Sequence, residues 1–225
     1  MIWEKSVEIQ QMTLDQNILA VYGTGKQQDY KLLPTLLTED EMAYANRLRS
    51  ERQKNTWISC HVKLRQILGI YFNMNPIEIE LKKNRFGRPY VASSNLFFNL
   101  SHTVSSFLIG FSVGGKIGVD LDKLSGREDL PSLMDYAFSS AETDYCLNGE
   151  LSEHFLKIWT LKEAFLKAAG VGLVDHLKSV NVCGNFENNI YAKNFLQKTM
   201  ICPNGETASI VHQNNQSIAY VWLCQ

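Results

Sequence analysis

The sequence lacks paired cysteines. Its five cysteines are odd in number and scattered, and none stands in a C-x-x-C arrangement. These features argue against a disulfide framework and against a structural zinc site. We therefore expect reduced thiols in a cytoplasmic protein; the residues are Cys60, Cys146, Cys183, Cys202 and Cys224.

The chain also lacks a strong net charge and a long apolar run. A net charge of −1 gives it no overall attraction to nucleic acid or to an anionic membrane. No apolar run is long enough to span a membrane, and residues 1–8 do not show the basic-then-apolar pattern of a signal peptide. With 225 residues, of which 45% are hydrophobic and 20% charged, the sequence is an ordinary globular one that suits one large domain or two small ones.

Two acidic residues lie in a stretch with the periodicity of a β-strand. In residues 116–122, apolar residues alternate with glycine or aspartate. The alternation directs Asp120 and Asp122 to the same face of the predicted strand. Two carboxylates on one face repel each other unless a cation lies between them. On this pattern alone, a strand end with solvated carboxylates is an equally good interpretation.

A second stretch, residues 155–169, predicts a buried helix that carries charged residues. Apolar residues occupy nearly every side of this helix, which is typical of a buried one. Lys162, Glu163 and Lys167 interrupt the pattern, and buried charges need partners. Glu163 and Lys167 are four residues apart and therefore share one helical face. Lys162 is expected either to contact a ligand or to pair with a neighbouring carboxylate.

The two stretches together predict a site for a hard divalent cation. We expect Asp120, Asp122 and Glu163 to hold the cation, with Lys167 beside it to meet a phosphate. Mg²⁺ prefers one or two carboxylates and completes its shell with water and substrate oxygens, so direct binding by all three is not required.

The order of the predicted elements repeats once along the chain. Capping-box patterns at 38–41 and 139–142 each open a short helix, and a main buried helix follows at 57–71 and at 155–169. The order predicts an α+β fold of two similar lobes, residues 1–105 and 106–225, with the ligand site between them. Strands are predicted at residues 18–23, 77–81, 96–102, 106–112, 116–122, 180–182, 199–202, 208–211 and 218–223, and a turn at 85–90.

Four motifs follow one another in the order and at the spacing of a known family. Asp120 follows His102 by 18 residues, and Glu163 follows Asp122 by 41. A single D-x-D or W-x-x-K-E motif is weak evidence, but the ordered set is specific. The motifs are Gly87-Arg88-Pro89, Asn99-Leu100-Ser101-His102, Gly118-Val119-Asp120-Leu121-Asp122, and Trp159-Thr160-Leu161-Lys162-Glu163-Ala164 with Lys167. On these residues the sequence resembles the Sfp-type 4'-phosphopantetheinyl transferases.

The resemblance implies an enzyme that uses Mg²⁺ and coenzyme A. Such an enzyme transfers the 4'-phosphopantetheine group of coenzyme A to a serine of an apo acyl or peptidyl carrier protein and releases adenosine 3',5'-bisphosphate. The family fold is a pseudo-dimer of two related α/β lobes, and we expect a monomer with no nucleic acid or membrane partner. In the family, the region corresponding to residues 130–145 meets the carrier protein; the alternative for this segment is plain helix core.

The resemblance also assigns roles to individual residues. It implies that Asp120, Asp122 and Glu163 bind the metal, and that Glu163 is the base for the acceptor serine. Lys167 would neutralise the diphosphate, and Glu163, Lys167 and His102 are the expected catalytic residues. The residues expected to bind coenzyme A are Gly87, Arg88 and Pro89 at the adenine nucleotide, Arg52, Ser101 and His102 at the 3'-phosphate, and Lys162 and Lys167.

The sequence departs from the family pattern at two places. Asp122 stands where the family often has glutamate, and its side chain is one methylene shorter, so it binds the metal either directly or through water. The basic residues before the first main helix also do not align. Thr56 and Asp40 stand where some relatives have cations, and Arg52 is the remaining candidate for the 3'-phosphate.

Two other functions use the same residues. One is a metal-dependent phosphodiesterase or hydrolase acting on coenzyme A-like diphosphates. The other is a non-catalytic module that binds coenzyme A or a carrier protein; the presence of all three carboxylates and Lys167 argues against it. The residues expected to be structural only are Trp159, His61, His154, His176 and His212.

Overall fold

The computed structural model describes residues 4–5, 18–25, 36–126, 128–170, 177–183, 194–213 and 218–222. The chain divides into two compact units. The first unit consists of Met1–Gly114 and Gln216–Gln225, and the second of Gly115–Asn215. Residues 106–114 and 216–225 belong to the first unit, whereas the prediction assigned them to the second lobe. The division into two similar lobes itself stays a prediction.

The described residues form a mixed α/β protein, which confirms the coarse fold class. A 3₁₀ helix, Pro76–Glu78, follows the longest helix. In chain order the other elements are β1 (Glu4–Lys5), β2 (Ile18–Thr24), α1 (Glu39–Asn46), α2 (Glu51–Phe72), β3 (Lys82–Lys83), β4 (Pro89–Tyr90), β5 (Leu96–His102), β6 (Ser106–Val113), β7 (Ile117–Asp122), α3 (Leu130–Ala137), α4 (Ser140–Leu147), α5 (Leu151–Ala169), β8 (Leu196–Ile201), β9 (Thr207–His212) and β10 (Ile218–Trp222).

The first unit is built on a five-stranded sheet. The strand order is β1-β10-β2-β6-β5; β10 is parallel to β1 and β2, and β6 is antiparallel to β2 and β5. Helix α2 packs on this sheet, and β3 and β4 form a separate hairpin. The core that joins the helix to the sheet includes Leu64, Ile67 and Leu68 of α2 and Leu19, Val21, Phe98, Phe107, Ile109 and Phe111 of the strands.

A buried arginine joins the helices of the first unit. Thr38 and Glu41 form a capping box at the start of α1, as predicted. Oε2 of Glu41 also accepts a hydrogen bond from Nε of Arg65 on α2, over 2.8 Å. Nη1 of Arg65 donates to the carbonyl oxygens of Pro76, at 2.8 Å, and Ile79, at 3.2 Å. Arg65 therefore fixes α1, α2 and the segment that follows α2.

The second unit is a three-stranded antiparallel sheet, β7-β9-β8, covered by α5. Helix α5 comes unusually close to β7 at Gly118. A Cβ atom on Gly118 would lie 2.0 Å from the carbonyl oxygen of Ala164 and 2.4 Å from the backbone nitrogen of Ala168. Because backbone atoms of a packed helix have little room to move, this position requires glycine.

A buried lysine has the corresponding role in the second unit. Ser139 and Glu142 form a capping box at the start of α4, as predicted. Oε2 of Glu142 accepts a hydrogen bond from Nζ of Lys162 on α5 over 2.5 Å, and Oε1 accepts one from the backbone N–H of Val182 over 2.8 Å. Lys162 also donates to the carbonyl oxygen of Val180 over 2.6 Å. The arrangement of capping-box glutamate, helix cation and following carbonyl thus occurs in each unit.

Two predicted strands are wrong. Residues 77–81 alternate apolar and acidic side chains, but the 3₁₀ helix forms at Pro76–Glu78. Arg65 binds the carbonyl oxygen of its first residue, Pro76, and that of Ile79 directly after it, so these oxygens are not available to a neighbouring strand. Residues 180–182 form no strand, since their backbone groups bind the side chains of Lys162 and Glu142 instead of a neighbouring strand.

The remaining predicted helices and strands are present, with shifted ends. Both main helices begin earlier than predicted, α2 at Glu51 and α5 at Leu151. None of the helices in the described ranges combines the length and the apolar character needed to cross a membrane. His176, Cys224 and residues 1–3, 6–8 and 223 lie outside the described residues, so the expectations about them stay predictions.

Candidate functional site

Strand β7 brings Asp120 and Asp122 beside helix α5. β7 is an outer strand of its sheet, paired with β9 so that Asp120 lies opposite Ser209. The side chain of Asp120 is nearly buried, and Asp122 at the strand end is half-buried. Asp122 Oδ1 accepts a hydrogen bond from the backbone N–H of Lys123 over 2.7 Å. The predicted placement of both carboxylates on one strand is therefore correct.

Helix α5 directs Lys167 to the first of these carboxylates. Nζ of Lys167 lies 2.7 Å from Oδ1 of Asp120 and also donates to the carbonyl oxygen of Val119, at 3.2 Å. The close approach at Gly118 brings the helix within reach of the strand. Glu163 lies one helical turn before Lys167 and is half-buried.

The carboxylates on the two elements act on each other electrostatically. The pKa of Glu163 is raised to about 7, chiefly by burial; the negative charges of Asp120 and Asp122 contribute to the shift, and the charge of Lys167 opposes it. Burial also raises the pKa of Asp122, and the charge of Asp120 acts in the same direction. The four charged groups therefore form one cluster whose excess of negative charge a cation would relieve.

The cluster does not form a ready-made cage for a metal. In the described part of the chain, no group of three or more histidine, cysteine, aspartate or glutamate side chains is arranged to hold a metal ion. The assignment of Asp120, Asp122 and Glu163 as metal ligands stays a prediction. The donor set still fits Mg²⁺ chemically, because Mg²⁺ is bound through one or two carboxylates plus substrate oxygens and water.

The prediction that Lys162 binds coenzyme A needs correction. Its side chain is completely buried, and its ammonium is held by Glu142 and by the carbonyl oxygen of Val180. An ammonium held in this way is not available to a ligand. The alternative stated for Lys162, a pair with a neighbouring carboxylate, describes what the structure shows.

In the first unit, the Gly87-Arg88-Pro89 motif forms a tight turn between β3 and β4. Gly87 has a φ of +79°, which favours glycine. The guanidinium of Arg88 donates to the carbonyl oxygen of Phe98 through Nη2, at 2.8 Å, and Nε, at 3.2 Å, and burial lowers its pKa. Arg88 thus fixes the turn against β5. A cavity of about 320 Å³ adjoins it, lined by Asn84, Arg88, Pro89, Tyr90, Val91, Ser94, Leu96, Phe97 and Phe98.

Ser101 and His102 end strand β5, with Ser101 buried and His102 exposed. The loop that follows them is tied to helix α2. Oγ1 of Thr56 lies 2.9 Å from the carbonyl oxygen of Val104 and 3.0 Å from that of Arg52. Arg52, one turn before Thr56, therefore lies at the same end of the first unit as His102. Thr56 has a structural role here.

The first unit also contains a group of aromatic and basic side chains beyond the predicted site residues. The ring of His61 stacks on Trp57 with centroids 3.6 Å apart. The pKa of His61 is lowered to about 4, chiefly by burial; the hydrogen bond to the backbone of Trp57 and the charge of Glu41 oppose the shift, and the charges of His102 and Lys83 add to it. Nζ of Lys83 lies 5.9 Å from the ring centre of Tyr44. In the sequence, Lys83 could have been singled out by the run of basic residues just before the Gly87-Arg88-Pro89 motif.

Residues 116–221 match the family model of the 4'-phosphopantetheinyl transferase superfamily. Over these residues the chain is similar to that superfamily. The matched residues include the β7 motif and the α5 motif, whereas Gly87-Arg88-Pro89 and the Asn99–His102 motif precede them.

Three transferases named for this activity are similar to the chain. A 4'-phosphopantetheinyl transferase of Nostoc sp. is 32% identical over 63% of this chain and 62% of the relative. A phosphopantetheinyl transferase of Thraustochytrium sp. is 27% identical over 61% and 54%. A 4'-phosphopantetheinyl transferase of Bacillus subtilis is 28% identical over 54% of each chain. The chain thus spans less than two thirds of the length of these relatives.

Proposed function

We propose that this protein transfers the 4'-phosphopantetheine group of coenzyme A to a serine of an apo carrier protein. The observation that carries the proposal is the charged cluster of the second unit. Nζ of Lys167 lies 2.7 Å from Oδ1 of Asp120. The charges of both groups also shift the pKa values of Glu163 and Asp122. These residues lie within residues 116–221, the range that matches the family model.

The reaction is a displacement at phosphorus. The serine hydroxyl oxygen attacks the phosphorus that carries the pantetheine group, and the bond from this phosphorus to the bridging oxygen of the diphosphate breaks. Adenosine 3',5'-bisphosphate leaves with the electron pair of that bond, and the serine proton passes to a base. The protein forms no covalent bond with the substrate in this step. Catalysis therefore depends on positioning the serine and the diphosphate and on neutralising the charge of the diphosphate.

Glu163 is the proposed base. A general base works best when its pKa is near the working pH, and the pKa of Glu163 is raised to about 7. Its position on α5, one turn from Lys167, would place the base beside the group that neutralises the diphosphate. Lys167 would pair with a diphosphate oxygen through its ammonium.

Asp120 and Asp122, with Glu163, are the proposed carboxylates for Mg²⁺. When bound, Mg²⁺ would draw negative charge from the diphosphate oxygens and so make the phosphorus easier to attack. The near-burial of Asp120 keeps the carboxylate poorly solvated. A poorly solvated carboxylate interacts strongly with a cation.

The first unit is proposed to bind the nucleotide part of coenzyme A. Gly87, Arg88 and Pro89 would hold the adenine nucleotide, and Arg52, Ser101 and His102 the 3'-phosphate, with His102 as a further catalytic residue. The exposed ring of His102 and the fixed turn at Arg88 support these roles. We also propose a pseudo-dimer of two lobes with the active site between them, working as a monomer.

The protein partner is proposed to be an apo acyl or peptidyl carrier protein in the cytoplasm. Helix α3 buries Met134 and Ala137 in the core of the second unit, and it leaves Tyr136 57% exposed. The helix therefore has both a core side and an outer apolar side chain on which a carrier could dock. The four cysteines of the described residues are free, as reduced surroundings require.

A transfer assay tests the proposal. Apo acyl and peptidyl carrier proteins are incubated with the protein, coenzyme A and Mg²⁺, and the carriers are weighed by mass spectrometry. The 4'-phosphopantetheine adduct is expected on at least one carrier. Glu163→Gln should abolish it, whereas Glu153→Gln, the same change at an exposed position of α5, should not.

The other two functions predict different results in the same assay. Hydrolysis of coenzyme A without any acceptor protein would identify a phosphodiesterase. Binding of coenzyme A that persists in a chelator, with no adduct on any carrier, would identify a binding module.

A further inference from the structure

Lys167 and Asp120 link α5 to β7 at the site. Nζ of Lys167 lies 2.7 Å from Oδ1 of Asp120, and the two side chains are only 23% and 9% exposed. The same ammonium donates to the carbonyl oxygen of Val119. A pair that is this well shielded from water is weakly screened by salt. The lysine therefore neutralises Asp120, a carboxylate that is also a proposed metal ligand.

We propose that Lys167 is a counter-ion that a divalent cation must displace from Asp120, so that the cation and the diphosphate of coenzyme A bind cooperatively. The inference rests on the proposed function and deepens it. A cation that binds Asp120 while Lys167 remains there meets a second positive charge a few ångströms away. Binding of the cation alone is therefore opposed.

A diphosphate removes this opposition. Its oxygens accept the ammonium of Lys167, while Asp120 becomes available to the cation, and each positive charge then has an anionic partner. Each ligand should consequently raise the affinity for the other by the same factor, as linkage requires. Lys167 would thus have two anionic partners in turn, Asp120 before substrate binds and the diphosphate afterwards.

Removing the lysine gives an unusual expected result. Lys167→Gln keeps a hydrogen-bond donor near Asp120 but removes the charge that opposes the cation. We expect the variant to bind Mn²⁺ alone at least about fivefold more tightly than the wild type, the lower end of typical coupling between sites. In the same variant, coenzyme A should raise Mn²⁺ affinity by a smaller factor than in the wild type, because only the direct contact between the ion and the diphosphate remains.

The affinity for Mn²⁺ is measured by titration calorimetry, without and with coenzyme A. Lys157→Gln is the matched control, because Lys157 lies on the same helix and is exposed, and this variant should bind Mn²⁺ as the wild type does. Asp120→Asn should weaken Mn²⁺ binding both in the wild type and in the Lys167→Gln variant. Circular dichroism melting shows whether each variant is folded.

A measurement on the unaltered protein tests the exchange without a variant. The ¹⁵N resonance of the Lys167 ammonium, followed by NMR, should shift when Mg²⁺ and coenzyme A are both present. An unchanged or weakened Mn²⁺ affinity in Lys167→Gln would overturn the proposal, since it means that the pair persists while the cation binds. An ammonium resonance that does not respond to both ligands would also overturn it. Neither result depends on whether transfer to a carrier protein occurs.

Discussion

Nζ of Lys162 lies 2.5 Å from Oε2 of Glu142, and neither side chain is exposed to solvent. Arg65 and Glu41 form the matching pair in the first unit, with Nε 2.8 Å from Oε2. Each glutamate also closes the capping box of a short helix, and each cation binds a backbone carbonyl beyond the main helix. In each unit, one charge pair therefore fixes a short helix, a main helix and the segment after it.

Lys162→Met should strongly destabilise the protein. The change leaves the carboxylate of Glu142 buried without its ammonium, and breaking a buried pair in this way costs about 3–5 kcal/mol. Urea unfolding should show a loss of this size in the free energy of unfolding. Lys157→Met, at an exposed position of the same helix, should stay within about 0.5 kcal/mol of the wild type. A loss below about 1 kcal/mol for Lys162→Met would mean that Glu142 is satisfied without the lysine.

Gly118→Ala should push α5 away from β7. The new Cβ would lie 2.0 Å from the carbonyl oxygen of Ala164, so the helix has to move. We expect a loss of about 3 kcal/mol in the free energy of unfolding, at the upper end for overpacking. Gly126→Ala is the control for backbone strain, since its φ is +82° but its Cβ would meet nothing within 4 Å. Equal losses for the two variants would contradict the close approach.

The local parts of this site could be predicted from the sequence, because their signals are local. The alternation of apolar residues with glycine or aspartate predicted β7, and the nearly continuous apolar surface predicted the buried helix α5. The S/T-x-x-E pattern predicted both capping boxes. The strand predicted at residues 77–81 failed because Arg65, distant in sequence, binds the carbonyl oxygens of Pro76, just before the segment, and of Ile79, within it. The pairing of Lys162 with Glu142 is likewise a tertiary contact, so periodicity could not decide between core and ligand for that lysine.

The titration of Glu163 makes the free energy of unfolding depend on pH. Burial, followed by the charges of Asp120 and Asp122, raises its pKa from 4.5 to about 7. The folded protein therefore holds this proton more tightly than the unfolded chain does. The resulting stabilisation is fully present below the unfolded pKa and is lost as the pH rises through about 7.

Thermal unfolding in EDTA checks this dependence. The melting temperature of the wild type relative to Glu163→Gln should fall between about pH 5 and pH 8, because only the wild type has the titrating group. Parallel curves for the two proteins would show that Glu163 titrates as it does in the unfolded chain.

Arg88→Met should weaken the use of coenzyme A. The change removes the two hydrogen bonds from Arg88 to the carbonyl oxygen of Phe98 that fix the turn beside the cavity. We expect KM for coenzyme A to rise about tenfold, equivalent to about 1.4 kcal/mol, with a smaller effect on kcat. Arg85→Met, at an exposed position of the same turn, is the control. A fall in kcat with KM unchanged would assign Arg88 to the chemical step instead.

The most direct measurement is an anomalous difference map from crystals grown with Mn²⁺ and coenzyme A. We expect an ion within about 2.5 Å of carboxylate oxygens from at least two of Asp120, Asp122 and Glu163, and in contact with the diphosphate. An ion and diphosphate bound elsewhere, with these three carboxylates directed away from both, would contradict it.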